Sequence, residues 1–168
     1  INPGMRIYTN SDSVKTLRRN IVELVLSDHP PDCLTCEVNG NCELQDVAAS
    51  VGVRRIRYAK GKNHCDREKD LSHAYMRMDL SKCINCSRCV RACDEVQGQF
   101  TLIMTGRGFE SRITTDNDML FGDSSCVSCG ACAQTCPTSA ISDVFQSKSV
   151  EADKTVRTTC SYCGVGCN

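Results

Sequence analysis

The chain has 168 residues, of which 15 are Cys and only 5% are aromatic, and it contains no Trp. Lys plus Arg equals Asp plus Glu at 20 each, so the formal net charge is zero, and no basic run predicts nucleic-acid binding. No apolar stretch reaches the roughly 18 residues of a membrane-spanning helix, so we expect none. A chain so poor in large apolar side chains needs covalent links to supplement its hydrophobic core.

The cysteines predict metal ligation rather than disulfide bonding. Their number is odd, and most of them fall in short runs with the spacing of metal ligands. Metal ligands must be thiolates, which persist in a reducing compartment, so we expect the protein in the cytoplasm.

The first predicted elements are a short strand over Met5–Thr9 and a helix capped by Asp12 or Ser13. Pro30 and Pro31 end that helix because they lack backbone donors. Its apolar residues recur at helical spacing and predict a packing role alone: Val14, Leu17, Ile21, Leu24 and Val25.

The next segment predicts an iron–sulfur site with one imidazole ligand. His29, Cys33, Cys36 and Cys42 follow the spacing H-x3-C-x2-C-x5-C. A neutral imidazole in place of a thiolate makes such a site less negative and favours its reduced state, as in Rieske centres. The alternatives are a zinc site, or a histidine that only caps the preceding helix.

The remainder of a first domain, 1–72, is predicted to be a helix, a strand and a loop. The helix begins at Cys42 with Leu44, Val47, Ala48 and Val51 facing inward, and it stops at Gly52. Arg54–Tyr58 alternates like a strand, and residues 60–73 read as a polar loop. That loop holds His64, Cys65 and His73, of which Cys65 is predicted to be a free thiol.

A second domain, 73–150, is predicted to be a ferredoxin-like domain with two [4Fe–4S] sites. The spacing C-x2-C-x2-C-x3-C occurs twice, and the second run is followed by Pro137. The fourth Cys of each run is expected to ligate the other cluster. Zinc sites pair two C-x2-C units and leave no role for the third Cys. The expected ligand sets are Cys83, Cys86, Cys89 with Cys136, and Cys126, Cys129, Cys132 with Cys93.

The fold class expected around these sites is α+β, in small iron–sulfur domains. A hairpin turns around Gly106–Gly108, and an acidic, turn-rich stretch covers Asp116–Asp123. The predicted strands are Tyr75–Leu80, Phe100–Thr105, Phe109–Thr115 and Ala140–Phe145. The predicted helix covers Cys86–Gln97 and is ended by Gly98.

The final segment, 151–168, predicts a fourth site that this chain does not complete. A polar linker over 146–154 leads to a predicted strand, Thr155–Thr159. Cys160, Cys163 and Cys167 then supply three ligands. A cubane needs four, so we expect a further Cys downstream of Asn168.

The order of these motifs resembles a known family. The segment from His29 to Cys42 is similar to the His-ligated segment of the complex I large iron–sulfur subunit, [FeFe]-hydrogenases and certain formate dehydrogenases. The paired runs are similar to those of the latter two groups, and the ending TTCSYCGVGCN resembles the start of a molybdopterin domain in formate dehydrogenases. The combination resembles best the alpha, catalytic subunit of a cytoplasmic NAD-dependent molybdenum or tungsten formate dehydrogenase.

That resemblance implies an oxidoreductase in which this chain relays electrons from a metal-pterin centre to a flavin- and NAD-binding diaphorase subunit, with formate as the substrate. It implies a further [2Fe–2S] cluster and a molybdenum or tungsten bis-pterin in the whole protein. The alternatives are a freestanding polyferredoxin-type carrier, or the iron–sulfur region of a hydrogenase or another molybdopterin reductase. No catalytic residue is expected within this chain.

Overall fold

The computed structural model describes residues 2–59, 68–145, 154, 156–160 and 164–167. Cys65 and Cys163 therefore lie outside the described residues, as does most of the predicted linker over 146–154. None of the helices in the described part of the chain has both the length and the apolar character needed to cross a membrane.

The first helix, α1, runs over Asp12–Asp28. Its N-cap is Ser11, whose hydroxyl accepts a hydrogen bond from the backbone N–H of Val14 at 3.4 Å, and not Asp12 or Ser13 as predicted. His29 is the C-cap, directly before the two prolines. The predicted end of the helix is thereby confirmed.

The apolar residues of α1 form only part of the packed face that was predicted. Leu17 and Ile21 are each 60% exposed, and Leu24 is 51% exposed. The buried residues of this helix are Val22 and Glu23. Val25 packs against the cluster of Val38, Cys42 and Leu44 as predicted, and Val14 is half-buried. Helical spacing therefore located the helix but identified its packed face only in part.

Helix α2 covers Glu43–Ser50, with Cys42 as its N-cap. It confirms the predicted second helix, although Leu44 is its only buried residue and Val47 is exposed. Gly52 follows in the left-handed region at φ 70°. The two predicted strands of this domain, Met5–Thr9 and Arg54–Tyr58, do not form, because in the described residues neither segment has a neighbouring strand to bond with.

The second half of the chain contains two small antiparallel sheets. Strands β1 and β4 pair Met78 with Ile141, while β2 and β3 pair Met104 with Ile113. The predicted hairpin and closing strand are thus confirmed. The strand bounds are Met76–Met78 for β1, Ile103–Thr105 for β2, Arg112–Thr114 for β3 and Ile141–Asp143 for β4.

Each of the two cysteine runs contains a short helix. Helix α3 covers Arg88–Arg91 and continues as a wider, π-helical turn over Ala92–Val96. It starts two residues later than predicted because Ser87 takes a left-handed conformation at φ 59°. Helix α4 covers Ala131–Thr135 after Gly130, which is also left-handed at φ 74°. The acidic stretch forms two short 3-10 turns, Asp116–Asp118 and Phe121–Asp123.

Two apolar clusters result from this arrangement. The larger cluster joins the paired strands and the helices α3 and α4, and three of its buried members are cysteines that are predicted ligands. The smaller consists of Val38, Cys42 and Leu44, with Ile84 packed against it from the other half of the chain. The buried members of the larger cluster are Met76, Met78, Cys89, Cys93, Leu102, Ile113, Phe121, Cys132 and Ile141.

The predicted division into 1–72, 73–150 and 151–168 stays a prediction. Asp70, from the end of the first predicted domain, forms an antiparallel bridge with Met78 of β1. In the last segment, Thr155 lies outside the described residues and 156–159 form no strand.

Candidate iron–sulfur sites

Each cysteine run of the second domain begins with a loop whose backbone wraps around the first sulfur. In the first loop, Asn85 and Ser87 take left-handed conformations at φ 52° and 59°. This curvature lets the backbone N–H of Asn85 donate to the Sγ of Cys83 at 3.4 Å. Such N–H···S contacts to a ligand sulfur raise the reduction potential of the cluster that the sulfur binds.

The second loop repeats this geometry. Ser128 and Gly130 occupy the corresponding positions at φ 59° and 74°. The N–H of Ser128 donates to the Sγ of Cys126, also at 3.4 Å. Left-handed backbone at non-glycine residues is strained, and strain of this kind concentrates at functional sites. The internal repeat seen in the sequence is therefore also a repeat of backbone conformation.

The fourth cysteine of each run lies beside the other run. Cys136 is close enough to Cys86 and Cys89 for its charge to raise the pKa of both thiols, although burial is the larger cause in each case. Cys93 lines one small cavity together with Cys126, Cys129 and Cys132. The structure therefore groups the sulfur atoms in the crossed pattern, and their ligation stays a prediction.

Burial makes two of these thiols reluctant to ionise. Removal from water, followed by the charges of neighbouring cysteines, raises the pKa of Cys89 and of Cys132 to about 12. Thiols with so high a pKa remain protonated at neutral pH unless a metal takes the place of the proton. Loading of these sites must therefore release protons.

The four predicted ligands of the His29 site line a single cavity. His29, Cys33, Cys36 and Cys42 surround a space of about 700 Å³ between α1 and α2. His29 enters it from the C-terminus of α1, Cys33 from a 3-10 turn over Cys33–Thr35, and Cys42 from the N-cap of α2. A cavity with three sulfur atoms and one imidazole at its wall is suited to an iron–sulfur cluster.

The imidazole of His29 carries a polar atom that nothing in the described chain satisfies. Its Nδ1 is buried and has no hydrogen-bond partner among the described residues. Burial, opposed by Asp32 and assisted by Lys82, lowers the pKa of His29 below its usual value. A neutral imidazole with a free, buried nitrogen is the form that binds a metal, so this residue fits the predicted role.

A single metal ion and an iron–sulfur cluster require different arrangements of ligands. Within the described residues, no group of three or more His, Cys, Asp or Glu side chains surrounds one ion position. Zinc draws its ligands to about 2.0–2.3 Å, whereas each ligand of a [4Fe–4S] cubane binds a different iron.

The last cysteine motif is only partly described. A backbone hydrogen bond of 2.7 Å from the N–H of Cys160 to the carbonyl of Cys167 closes this segment into a loop. Both cysteines are exposed, and Cys163 lies outside the described residues. The predicted fourth ligand downstream of Asn168 stays a prediction.

Contacts between residues 36–43 and residues near the paired cysteine runs connect the His29 site to the paired sites. The Sγ of Cys42 lies 3.7 Å from the carbonyl oxygen of Pro137, the residue that follows Cys136. The ammonium of Lys82, which precedes Cys83, lies 3.6 Å from the Sγ of Cys36. A two-fold hydrogen-bonded ion pair between Arg88 and Glu43 spans the same boundary at 2.6 and 2.8 Å.

Spacing arguments in the sequence did not identify His73, which supports the second cysteine loop. Its Nδ1 accepts hydrogen bonds from the N–H groups of Tyr75 and Met76, both at 3.1 Å. Nε2 must then carry the proton and donate to the hydroxyl of Ser128 at 3.2 Å. His73 is thus a positioning residue for the loop between Cys126 and Cys129. In the sequence, only the position of His73 just before β1 could have indicated this supporting role.

Two family models match these regions. Residues 18–57 match the NADH-ubiquinone oxidoreductase-G iron-sulfur binding region, which contains the whole His29 site. Residues 82–140 match the 4Fe-4S dicluster domain, which contains both paired sites. The chain therefore carries two kinds of [4Fe–4S]-binding region, as the sequence predicted.

Curated relatives are oxidoreductases of three kinds. The NADP-reducing hydrogenase subunit HndD of Solidesulfovibrio fructosivorans is 40% identical over 84% of this chain and 24% of its own length. The NADH-quinone oxidoreductase subunit 3 of Thermus thermophilus is 36% identical over 98% of this chain and 22% of its own. A Staphylococcus haemolyticus protein named as a candidate formate dehydrogenase is 29% identical over 100% of this chain and 21% of its own. The chain thus spans about a quarter or less of the length of these relatives.

A solved structure shares the arrangement. The crystal structure of an NAD+-reducing [NiFe]-hydrogenase in the H2-reduced state matches with a TM-score of 0.77 and 28% identity, over 86% of this chain and 61% of that one. The similarity covers most of the described fold.

Proposed function

We propose that this chain is the electron-relay segment of a formate dehydrogenase that contains a metal-pterin centre. The observation that carries the relay function is the grouping of eleven cysteines and His29 into three adjoining sites. A bound [4Fe–4S] cluster supplies reversible one-electron transfer. The chain itself supplies the ligands, their spacing and their separation from water.

The contacts between the sites support one order along the relay. Cys136 groups with Cys86 and Cys89, and its neighbour Pro137 contacts Cys42 of the His29 site. Cys132 belongs to the remaining site. Burial is the larger cause of its raised pKa, and the charge of the nearby Cys89 raises that pKa further. The site that contains Cys83 therefore lies between the other two.

Burial supports the relay function because it restricts electron exchange to intended neighbours. Cys89, Cys93 and Cys132 are each less than 10% exposed, and Met76 and Phe121 cover them with apolar surface. Cys33 and Cys86, by contrast, are exposed. Exposure at Cys33 offers a route between the His29 site and a partner subunit.

Two observations favour formate as the substrate of the whole protein. The C-x2-C-x3-C motif over Cys160–Cys167 resembles the start of a molybdopterin domain in formate dehydrogenases. The Staphylococcus haemolyticus relative named for that activity matches over the whole chain, this motif included. We infer that the fourth ligand of this site follows Asn168 and that the site faces a molybdenum or tungsten bis-pterin.

Relatives named for the reduction of NADP and of NAD+ support an electron acceptor of the nicotinamide class. We infer a flavin- and NAD-binding partner subunit, a further [2Fe–2S] cluster in the whole protein, and a reducing compartment such as the cytoplasm. The higher identity to the hydrogenase subunit HndD makes an iron–sulfur region of a hydrogenase the second candidate. A freestanding carrier is less well supported, since the relatives are several times longer.

The experiment that tests this proposal uses the intact protein, purified anaerobically. We expect molybdenum or tungsten in metal analysis, and reduction of NAD by formate but not by hydrogen. The variant Cys163→Ala should still bind formate but no longer reduce NAD, whereas Cys65→Ser should retain the activity and iron content of the parent. Hydrogen-dependent reduction without molybdenum or tungsten would establish the hydrogenase, and a reading frame that ends near Asn168 would establish the carrier.

A further inference from the structure

Lys82 is a cation held between two predicted cluster sites. It ends the 3-10 turn Leu80–Lys82 and directly precedes Cys83, yet its ammonium lies 3.6 Å from the Sγ of Cys36 in the other half of the chain. Both side chains are half-buried, so water screens this contact only partly. None of the ion pairs in the described part of the chain involves Lys82.

The backbone around Lys82 is fixed from two sides. Its N–H donates to the carbonyl of Asp79 at 3.2 Å, and its carbonyl accepts from the hydroxyl of Thr138 at 2.7 Å. Thr138 is 2% exposed, so this second hydrogen bond is sheltered. These hydrogen bonds fix the backbone position of Lys82. The contact of its side chain with Cys36 then depends on how the half of the chain that holds Cys36 packs against the half that holds Lys82.

Charges of both signs lie around the His29 site. Asp28 and Asp32 act on the imidazole of His29 and oppose its loss of a proton, while Lys82 acts in the other direction. The Lys82 ammonium contacts the Cys36 sulfur and can donate a charge-assisted hydrogen bond to it. A donor and a positive charge at a ligand sulfur both stabilise the extra negative charge of a reduced cluster.

We propose that Lys82 is a positioning residue that raises the reduction potential of the group bound by His29, Cys33, Cys36 and Cys42. It adds to the effect of replacing one thiolate by imidazole, and together they make this site the electron sink of the three. The inference rests on the proposed relay function. No covalent bond is made or broken.

The test is a redox titration of the intact protein followed by EPR. A reduced mediator dye gives up one electron to the site and is itself oxidised, so no substrate is needed. The signal of the His29 site is identified as the one altered in His29→Cys. For Lys82→Met we expect the ratio of reduced to oxidised site at fixed potential to fall about tenfold, which is about 59 mV for a one-electron couple.

Two further variants isolate the charge. Lys82→Arg keeps the cation and should keep the potential near that of the parent. Lys15→Met removes an equal charge from α1, where Lys15 pairs with Asp12 and is 53% exposed, and should leave the potential unchanged. Iron content is measured in every variant.

Several outcomes would overturn the inference. An unchanged potential in Lys82→Met with full iron content would do so, as would an equal shift in Lys15→Met. Loss of iron in both Lys82→Met and Lys82→Gln would show that Lys82 only joins the two halves. An intact protein without any iron–sulfur EPR signal would instead refute the proposed relay function itself.

Discussion

At the scale of single residues, His29 connects the sequence pattern with the structure most directly. Its position four residues before Cys33 predicted a ligand, and the structure places His29 at the wall of the cavity that three cysteines line. The imidazole is held there as the C-cap of α1. Ligand spacing is a local property of the chain, so the sequence could predict it.

We predict that His29→Ala loses iron from this site, while His29→Cys keeps the iron at a lower reduction potential. A methyl group cannot ligate iron, whereas a thiolate can but adds negative charge. Iron analysis and EPR of the intact protein measure both effects. The matched control is Leu34→Ala, at a 92% exposed position in the 3-10 turn Cys33–Thr35, and it should resemble the parent. Equal iron and EPR signals in His29→Ala and the parent would show that His29 is no ligand.

The supporting residues could not be predicted in the same way. His73 acts through Ser128, and Lys82 acts through Cys36, so each effect spans about 50 residues of chain. No spacing rule reports such a contact, because it depends on how separate segments dock. Both residues read as ordinary polar positions in the sequence.

At the scale of elements, the cysteine loops and the helices were predictable and the isolated strands were not. The helices α1 and α2 bond within themselves, so local signals such as Pro30 and Gly52 set their ends. A strand needs a partner. Tyr75–Leu80 has one in β4, whereas Met5–Thr9 and Arg54–Tyr58 have none in the described residues. An alternating pattern alone does not show which case applies.

One contact between elements depends on a single carboxylate. Asp70 accepts hydrogen bonds from the N–H and hydroxyl of Ser72 at 2.9 and 2.6 Å, and from the N–H of Phe121 at 2.7 Å. Burial acts to raise the pKa of Asp70, but these hydrogen bonds outweigh it and the pKa is lowered. The backbone is close here, since a Cβ on Gly122 would lie 2.5 Å from the carbonyl oxygen of Ser72.

We predict that Asp70→Asn lowers the free energy of unfolding by on the order of 1–2 kcal/mol, because an amide cannot accept all three hydrogen bonds. Because the pKa of Asp70 is lowered in the folded state, its carboxylate stabilises the fold at any pH above the ordinary Asp pKa of about 3.9. This stabilisation is lost as the pH falls through the pKa of the folded state. The deficit should therefore be constant between pH 8 and pH 5.

Thermal unfolding of the intact protein, followed by circular dichroism across that pH range, measures this deficit. Asp123→Asn, at an exposed carboxylate in the neighbouring turn, is the control and should unfold like the parent. A deficit that disappears on lowering the pH from 8 to 5 would contradict the assigned sign of the pKa shift.

At the scale of the whole molecule, the sites form a series in which each adjoins the next. Much of the apolar core in the described residues lies around the cysteines, and four of the predicted ligands, Cys42, Cys89, Cys93 and Cys132, are themselves core residues. The sequence predicted the number of sites and their ligands. It could not predict that Pro137 and Lys82 would bring the His29 site against the site of Cys83, because that depends on the docking of the two halves.

The central claim is that His29 and eleven cysteines bind three iron clusters with crossed ligands. Diffraction from crystals of the intact protein, measured at the iron and zinc absorption edges, tests it most directly. We predict iron signals at three positions within residues 29–136, with Cys136 on the iron of Cys83, Cys86 and Cys89, and Cys93 on the iron of Cys126, Cys129 and Cys132. A zinc signal at any of these positions, or Cys93 on the iron of Cys83, would contradict it.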